Sequence, residues 1–129
     1  MKKLRGKIVY PGHVKGEALV TNEPIGFYGG VDAKTGVVTQ KGHPLEGHSI
    51  KDKILVFPLG VGSTVGSYII FRLKKNGVGP KGIIVKEAEP IIAVGAIISE
   101  VPMVYNIDIN EIKTGDTVEI LKDGQVIVY

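Results

Sequence analysis

The residue types best suited to chemistry lie in one Gly-rich turn, residues 60–67, with the sequence GVGSTVGS. The turn follows an apolar segment, 54–57, that is typical of a buried strand, and it precedes a run with helical apolar spacing. Backbone N–H groups and the positive end of a helix dipole favour an anion at such a junction. The same groups stabilise a serine alkoxide, so Ser63 is a candidate base.

The same turn also has a purely structural interpretation, in which Ser63 or Thr64 caps a helix over 63–76 that Gly77 ends. Three hydroxyls, with Ser67 as the third, and three glycines in eight residues exceed what a cap requires. The turn lacks the Lys of a Walker A loop, and it does not centre its Ser between two glycines as a nucleophile elbow does. Because it also contains no cation, a base would depend on a cation from a distant residue or another chain.

A second group of polar residues lies in the Gly- and Pro-rich segment 22–50, where we expect a long ordered loop with one short strand near residues 37–38. The stretch 43–48, HPLEGH, does not fit a His-Glu-x-x-His metal site, because Pro44 and Gly47 prevent the helix that this motif needs. We therefore expect no metal, and we interpret His43 as a structural or substrate-contacting loop residue. Asp32 more simply caps or turns the backbone.

Composition sets limits on the function. The chain has 129 residues, which predicts one domain, and it has no cysteine, which excludes disulfides and any iron–sulfur cluster held by this chain alone. A chain this small has little room for a deep pocket of its own, so a partner chain that completes the site is expected. The net charge of +3 is weak for nucleic-acid binding. No apolar run is long enough for a signal peptide or membrane span, so we expect a cytoplasmic protein.

Periodicity predicts an α+β fold, a β-rich barrel or sandwich with one central helix in β/β/α layers, over residues 1–129. The expected strands are 4–9, 16–21, 54–57, 82–85 and 102–105, with a hairpin of 117–121 and 125–129 around the turn Asp123-Gly124. The strongly apolar segment 91–98 is predicted to be a strand buried on both faces or a short helix–strand mixture.

Three motifs in this order resemble the small subunit of the aconitase X family: GGVDxxTG at 29–36, HPLxG at 43–47 and ILVFPxGxGSTxGS at 54–67. The resemblance extends from residue 4 to residue 129 and is greatest to the stand-alone archaeal form. It implies a swivelling β/β/α domain like the mobile domain of aconitase. It also implies a heterodimer with a large subunit that carries a [4Fe–4S] cluster.

The activity that the resemblance implies is dehydration of (R)-5-phosphomevalonate to trans-anhydromevalonate 5-phosphate, in an archaeal mevalonate route of isoprenoid biosynthesis. The family's serine base falls on Ser63, and the partner's iron would act on the departing hydroxyl. The expected substrate contacts are Gly62, Thr64, Ser67, Asp32, Thr35 and His43. Aconitases proper carry an arginine where this chain has Thr64, so that carboxylate contact is lost or comes from the partner.

Three other functions remain open at this stage. Bacterial aconitase X enzymes, which join both parts in one chain, imply a hydroxyproline-type substrate. A phosphohistidine carrier domain resembles residues 11–20, but its histidine would stand where this chain has Ser63 and Thr64. A non-catalytic interaction module would use Ser63 only as a cap.

Overall fold

Eight strands form one mixed sheet in the computed structural model, which describes residues 1–129. In chain order they are β1 (Lys2–Arg5), β2 (Lys7–Tyr10), β3 (Val14–Val20), β4 (Ile54–Phe57), β5 (Gly82–Val85), β6 (Met103–Tyr105), β7 (Thr117–Ile120) and β8 (Gln125–Val128). Their order across the sheet is β1-β8-β7-β3-β4-β5-β6-β2. Strands β3 to β6 are parallel neighbours, and the remaining pairs are antiparallel.

The sheet curls until its two edges are close together. Strands β1 and β2 are separated only by Gly6, yet they occupy opposite edges of the sheet. The Gly6 N–H also donates to the Gly124 carbonyl at 3.0 Å. The eight strands therefore form a nearly closed barrel, which leaves little edge exposed.

Three helices lie along the chain: α1 (Phe27–Gly30), α2 (Gly66–Lys75) and α3 (Pro90–Ser99), and Ile109–Glu111 forms a short 3-10 turn. Helix α2 connects β4 to β5, and α3 connects β5 to β6, as parallel strands require. None of these helices has both the length and the apolar character that a membrane crossing needs.

The sheet has an apolar cluster on each of its two faces, because successive side chains of a strand point to opposite faces. Leu55 and Phe57 belong to a cluster of 19 buried residues that includes residues of α2 and α3. Ile54 and Val56 belong to a second cluster of 12, which contains the other face of the same strands. Strand β4 is buried on both faces and is a rigid support for the turn that follows it.

The barrel confirms the predicted fold class, and the strands at 54–57 and 82–85 have the predicted bounds. The predicted hairpin is confirmed as β7 and β8, with Gly124 at φ +91° in its turn. The segment 22–50 is mostly the predicted loop, but it contains the four-residue α1, whose Tyr28 and Gly29 have non-helical backbone angles. Its short strand consists of the isolated bridges Val31–Val38 and Val37–Ser49.

The prediction of a strand or a helix–strand mixture over 91–98 was wrong, as was that of one central helix, because this segment is the ten-residue helix α3. Glu89 caps α3, since its carboxylate accepts from the N–H groups of Ile91 at 2.9 Å and Ile92 at 3.1 Å. Pro90 occupies the first turn, where its missing N–H has no cost.

Candidate active site

The Gly-rich turn is held in place by its glycines. A Cβ at Gly60 would lie 2.1 Å from Cγ1 of Ile92, so only glycine allows α3 to pack this closely against the turn. Gly62 has φ +98°, a conformation that side-chain-bearing residues rarely adopt. Glycine therefore permits the left-handed backbone conformation immediately before Ser63.

Ser63 is exposed, and its Oγ accepts a hydrogen bond from the Val65 N–H at 3.2 Å. Its carbonyl accepts from the Gly66 N–H at 2.9 Å, which forms a turn before the helix. Helix α2 therefore begins at Gly66, and neither Ser63 nor Thr64 is its side-chain cap, contrary to the structural interpretation. A donor aimed at Oγ stabilises the alkoxide more than the hydroxyl.

Three consecutive backbone N–H groups of this turn, those of Gly62, Ser63 and Thr64, have no acceptor within the chain. All three residues are exposed. Consecutive free N–H groups in a turn near a helix N-terminus form a concavity that suits anions. The turn therefore offers donors that suit a carboxylate or phosphate beside the Ser63 hydroxyl.

A cleft of about 310 Å³ adjoins the turn at Val61. Its other lining residues are Glu23, Pro24, Gln40, Lys41, Gly42, His43 and Pro44. The Lys41 ammonium forms no ion pair. Gln40 and Lys41 were missed by the sequence analysis, although a lysine two residues before the singled-out His43 was an available signal.

His43 lies in the wall of this cleft, but both of its ring nitrogens form hydrogen bonds within the chain. Its Nδ1 accepts from the Leu45 N–H at 3.0 Å, and its Nε2 lies 3.1 Å from the Pro24 carbonyl, to which it donates. The side chain is only 7% exposed. His43 thus fastens the loop 40–48 to the segment before α1, which shapes the cleft.

Asp32 and Thr35 do not lie near Ser63. Each forms a local turn, with Asp32 Oδ1 accepting from Lys34 N–H and Thr35 Oγ1 from Val37 N–H. Their loop packs at the C-terminal end of α2, where the Asn76 amide donates to the Ala33 carbonyl at 2.8 Å. Ten helical residues separate the two ends by about 15 Å, so the expectation that these residues share a cleft with Ser63 is not met.

Ser67 differs from its expected role as well. The residue is 7% exposed, and its hydroxyl donates to the Ile91 carbonyl at 2.6 Å, so it joins α2 to α3 instead of facing a substrate. Thr64 remains beside Ser63 but also lines a groove between α2 and α3. Of the six expected contacts, Gly62 and Thr64 therefore adjoin Ser63, and His43 lies in the wall of the cleft that reaches the turn at Val61.

The two residues with clearly shifted pKa values lie away from this turn, on β7 and after β8. The Tyr129 hydroxyl donates to Glu119 Oε1 at 2.6 Å, and this bond lowers the pKa of Glu119 and raises that of Tyr129. His13 also contacts the Glu119 carboxylate and lowers its pKa further.

No three His, Asp or Glu side chains gather as metal ligands would. With no cysteine in the sequence either, the residues of this chain do not fit an iron–sulfur cluster.

A mixed barrel with two crossover helices, and an exposed serine in the Gly-rich turn before one of them, defines a swivel-type domain of the aconitase class. The aconitase X swivel domain model matches residues 3–129, and the chain belongs to that family.

Its relatives include the phosphomevalonate dehydratase small subunits of Thermococcus sibiricus and Pyrococcus horikoshii. The first is 52% identical, with 96% of each chain covered, and the second is 54% identical, with 96% of this chain and 93% of the relative covered. The crystal structure of Thermococcus kodakaraensis aconitase X in its holo form contains a similar chain with 50% identity and a TM-score of 0.98. That match covers 100% of this chain and 99% of the other. The names of the relatives imply a large subunit as partner.

Proposed function

We propose that this chain is the small subunit of a hydro-lyase that dehydrates (R)-5-phosphomevalonate to trans-anhydromevalonate 5-phosphate, with Ser63 as the base. One observation carries the proposal. Ser63 is exposed, its hydroxyl accepts the Val65 N–H, and it belongs to a turn with three consecutive N–H groups that have no acceptor. The relatives' shared name, phosphomevalonate dehydratase small subunit, supports the choice of substrate.

The base acts on the carbon next to the substrate carboxylate. Ser63 as alkoxide takes the proton from this carbon, and the electrons of the broken C–H bond form a double bond to the neighbouring carbon. The hydroxyl on that neighbouring carbon leaves at the same time, and the serine later returns its proton to solvent. Backbone donors supply charge stabilisation of the kind that oxyanion holes give, which is worth about 10²- to 10³-fold in rate per donor.

The anionic groups of the substrate fit the donors beside Ser63. We assign one to the free N–H groups of Gly62 and Thr64, and the other to the adjoining cleft, where Lys41 provides a cation. This lysine supplies positive charge that the turn itself lacks. A charge-assisted contact is about twice as strong as a neutral hydrogen bond, so Lys41 has a defined role in affinity.

A [4Fe–4S] cluster cannot be held by this chain, which has no cysteine and no trio of metal ligands. We therefore assign the cluster to the large subunit and propose that the two subunits form a heterodimer. The isolated chain is then expected to be inactive.

The decisive experiment compares Ser63→Ala with Ser49→Ala in the reconstituted two-subunit complex. Ser49 is a matched control because its Oγ also accepts the N–H two residues on, from Lys51 at 3.2 Å, but it lies in the bridge with Val37. We expect Ser63→Ala to lower kcat for 5-phosphomevalonate by about 10³-fold or more, with normal subunit assembly, because general-base catalysis contributes about 10²- to 10⁴-fold.

The Ser49→Ala complex should turn over like the unmodified one, and hydroxyproline serves as the comparison substrate. Near-normal turnover by Ser63→Ala would remove this serine from the base role. If the complex turns over hydroxyproline and not 5-phosphomevalonate, the substrate assignment is wrong and the assignment of Ser63 as base stands.

A further inference from the structure

The exposed side of α3 and two neighbouring positions of α2 form an apolar surface, while the last turn of α2 is basic. Five of their exposed side chains are large and apolar, and we call this set the open face: Tyr68, Phe71, Val94, Ile97 and Ile98. Tyr68 is 66% exposed and Val94 is 48% exposed, so these side chains are well accessible to solvent. Contiguous exposed apolar side chains mark interaction sites more often than isolated ones do.

The composition of α3 gives an independent reason to expect that another protein surface packs against its exposed side. Its ten residues, PIIAVGAIIS, contain no charged residue. One side packs inward through Ile92, Gly95 and Ala96, and Gly95 allows close contact because a Cβ there would lie 2.6 Å from Cδ1 of Ile70. A helix that is apolar all round belongs in a buried environment, yet the other side of α3 is open in this chain.

The exposed apolar side chains are concentrated on α2, α3 and the Gly-rich turn and its surroundings. Eleven large apolar side chains are exposed in the whole chain, and the three outside this region are Met1, Ile8 and Tyr129. The other eight are the open face together with Tyr28, Val61 and Val65, which lie in or beside the Gly-rich turn. The distribution singles out one side of the molecule.

A groove between α2 and α3 connects the open face to the candidate base. It has a volume of about 420 Å³, and its lining residues are Thr64, Ser67, Tyr68, Pro90, Ile91, Val94 and Ile98. Thr64 is the neighbour of Ser63 in the chain, so a protein that fills the groove also approaches the serine. The surface and the site are therefore continuous.

We propose that the open face is the docking surface for the large subunit. This inference rests on the proposed function, because Ser63 needs a second chain to supply the rest of the reaction site. A second copy of this chain fits poorly as the occupant. It would approach Ser63 without bringing a cysteine or a cluster of metal-ligating residues.

The test introduces a charge into the groove and measures binding to the large subunit encoded in the same genome, by calorimetry under anaerobic conditions. The variants are Val94→Glu and, on the other helix, Tyr68→Glu. The matched control is Ile8→Glu, because Ile8 is 41% exposed and pairs with Val104 of the barrel cluster. Because the altered side chains are exposed, circular dichroism and Tm should remain near those of the unmodified chain.

We expect Val94→Glu and Tyr68→Glu each to weaken binding by about 100-fold or more, because an unpaired charge would be buried at the centre of an interface. Ile8→Glu should bind normally. Unchanged affinity for both groove variants would overturn the proposal, as would an equal loss with Ile8→Glu. It would also be overturned by a tight homodimer of the isolated chain that Val94→Glu dissociates while large-subunit binding stays unchanged.

The Ser63→Ala variant separates this inference from the proposed function. It should bind the large subunit with unmodified affinity, since it removes one small hydroxyl. If it also retains turnover while Val94→Glu still loses binding, the base assignment fails and the docking surface stands.

Discussion

The two ends of helix α2 satisfy their polar groups in opposite ways. At the C-terminal end, the Asn76 amide donates to the Ala33 carbonyl and the Val78 N–H donates to the Leu73 carbonyl at 3.0 Å. At the N-terminal end, the N–H groups of three consecutive residues, 62–64, have no acceptor in the chain, and exposed apolar side chains lie beside them. The first N–H groups of α2 itself are paired with carbonyls of residues 63–65, so the free donors belong to the turn that precedes the helix. We call this turn the open end and the C-terminal side the paired end.

This difference separates stability from function. Buried polar groups without partners are costly, so a region that serves only the fold pairs them internally, as the C-terminal end does. Donors exposed to solvent cost little stability because they bond to water, and they remain available to a ligand. The open end is also the end that carries Ser63, the cleft beside Lys41 and the entrance to the groove.

The sharpest test of this comparison is a matched pair of glycine substitutions, Gly62→Ala and Gly77→Ala. Both glycines have positive φ, +98° and +71°, and at neither would a Cβ meet an atom closer than 3.9 Å. Each change should cost about 1–2 kcal/mol of stability through backbone strain. Only Gly62→Ala should also lower kcat, by about 100-fold, because it redirects the donors around Ser63.

Thermal unfolding and steady-state kinetics of the reconstituted complex measure both effects of this pair. Equal activity of the two variants would mean that the open end has no special role in catalysis.

A smaller effect is expected from Lys41→Gln, compared with Lys34→Gln near the paired end. Loss of a charge-assisted contact with a substrate anion should raise KM for 5-phosphomevalonate about 10-fold, with a smaller change in kcat. Lys34 is exposed and follows Asp32 in the distant loop, so its replacement should leave KM unchanged. Initial-rate measurements over a range of substrate concentrations distinguish these outcomes. An unchanged KM for Lys41→Gln would remove the cleft from the substrate site.

The smallest effect concerns a pair away from both ends, Tyr129 and Glu119. Their hydrogen bond lowers the pKa of Glu119 below its usual 4.5, so the contact stabilises the fold above about pH 4.5 and this stability is lost as pH falls through the lowered value. The same hydrogen bond raises the pKa of Tyr129 above 10.0. Its stabilising contribution through Tyr129 is therefore present below pH 10 and is lost as pH rises through the raised value.

Tyr129→Phe should therefore lower Tm slightly at neutral pH and flatten its decline in acid, without altering turnover. Tyr10→Phe is the control, because the Tyr10 hydroxyl has no hydrogen-bond partner in the chain. Tm measured from pH 2 to 7 provides the comparison. Identical pH profiles of Tm for the unmodified protein and Tyr129→Phe would show that this surface hydrogen bond contributes nothing to the loss of stability in acid.

Much of the barrel was predictable because its signals are local. The continuous apolar run at 54–57 identified a buried strand, and Asp123-Gly124 identified the hairpin between β7 and β8. Helix α3 was missed because a short helix that is apolar all round has no periodic contrast to distinguish it from a buried strand. Its available signal was Glu89-Pro90, an N-cap and first-turn pair.

The candidate site was predictable only in part. Ser63 and the donors of its turn depend on a few adjacent residues, which the sequence displays directly. The separation of Asp32 and Thr35 from Ser63 depends on a contact of Asn76 with Ala33, 43 residues apart in the chain. No pattern within either motif encodes that distance.

The sequence alone determined most of the strands, the Gly-rich turn and the serine within it, since backbone conformation follows from glycine, proline and apolar spacing over a few residues. The predicted strand 4–9 is instead two strands, β1 and β2, which Gly6 separates and which lie on opposite edges of the sheet. Tertiary structure decided which motifs share a site and that Ser67 joins two helices. It also decided that one side of the apolar helix α3 is buried and the other is exposed. These outcomes depend on packing between distant segments, where close approaches such as Gly60 against Ile92 select one arrangement.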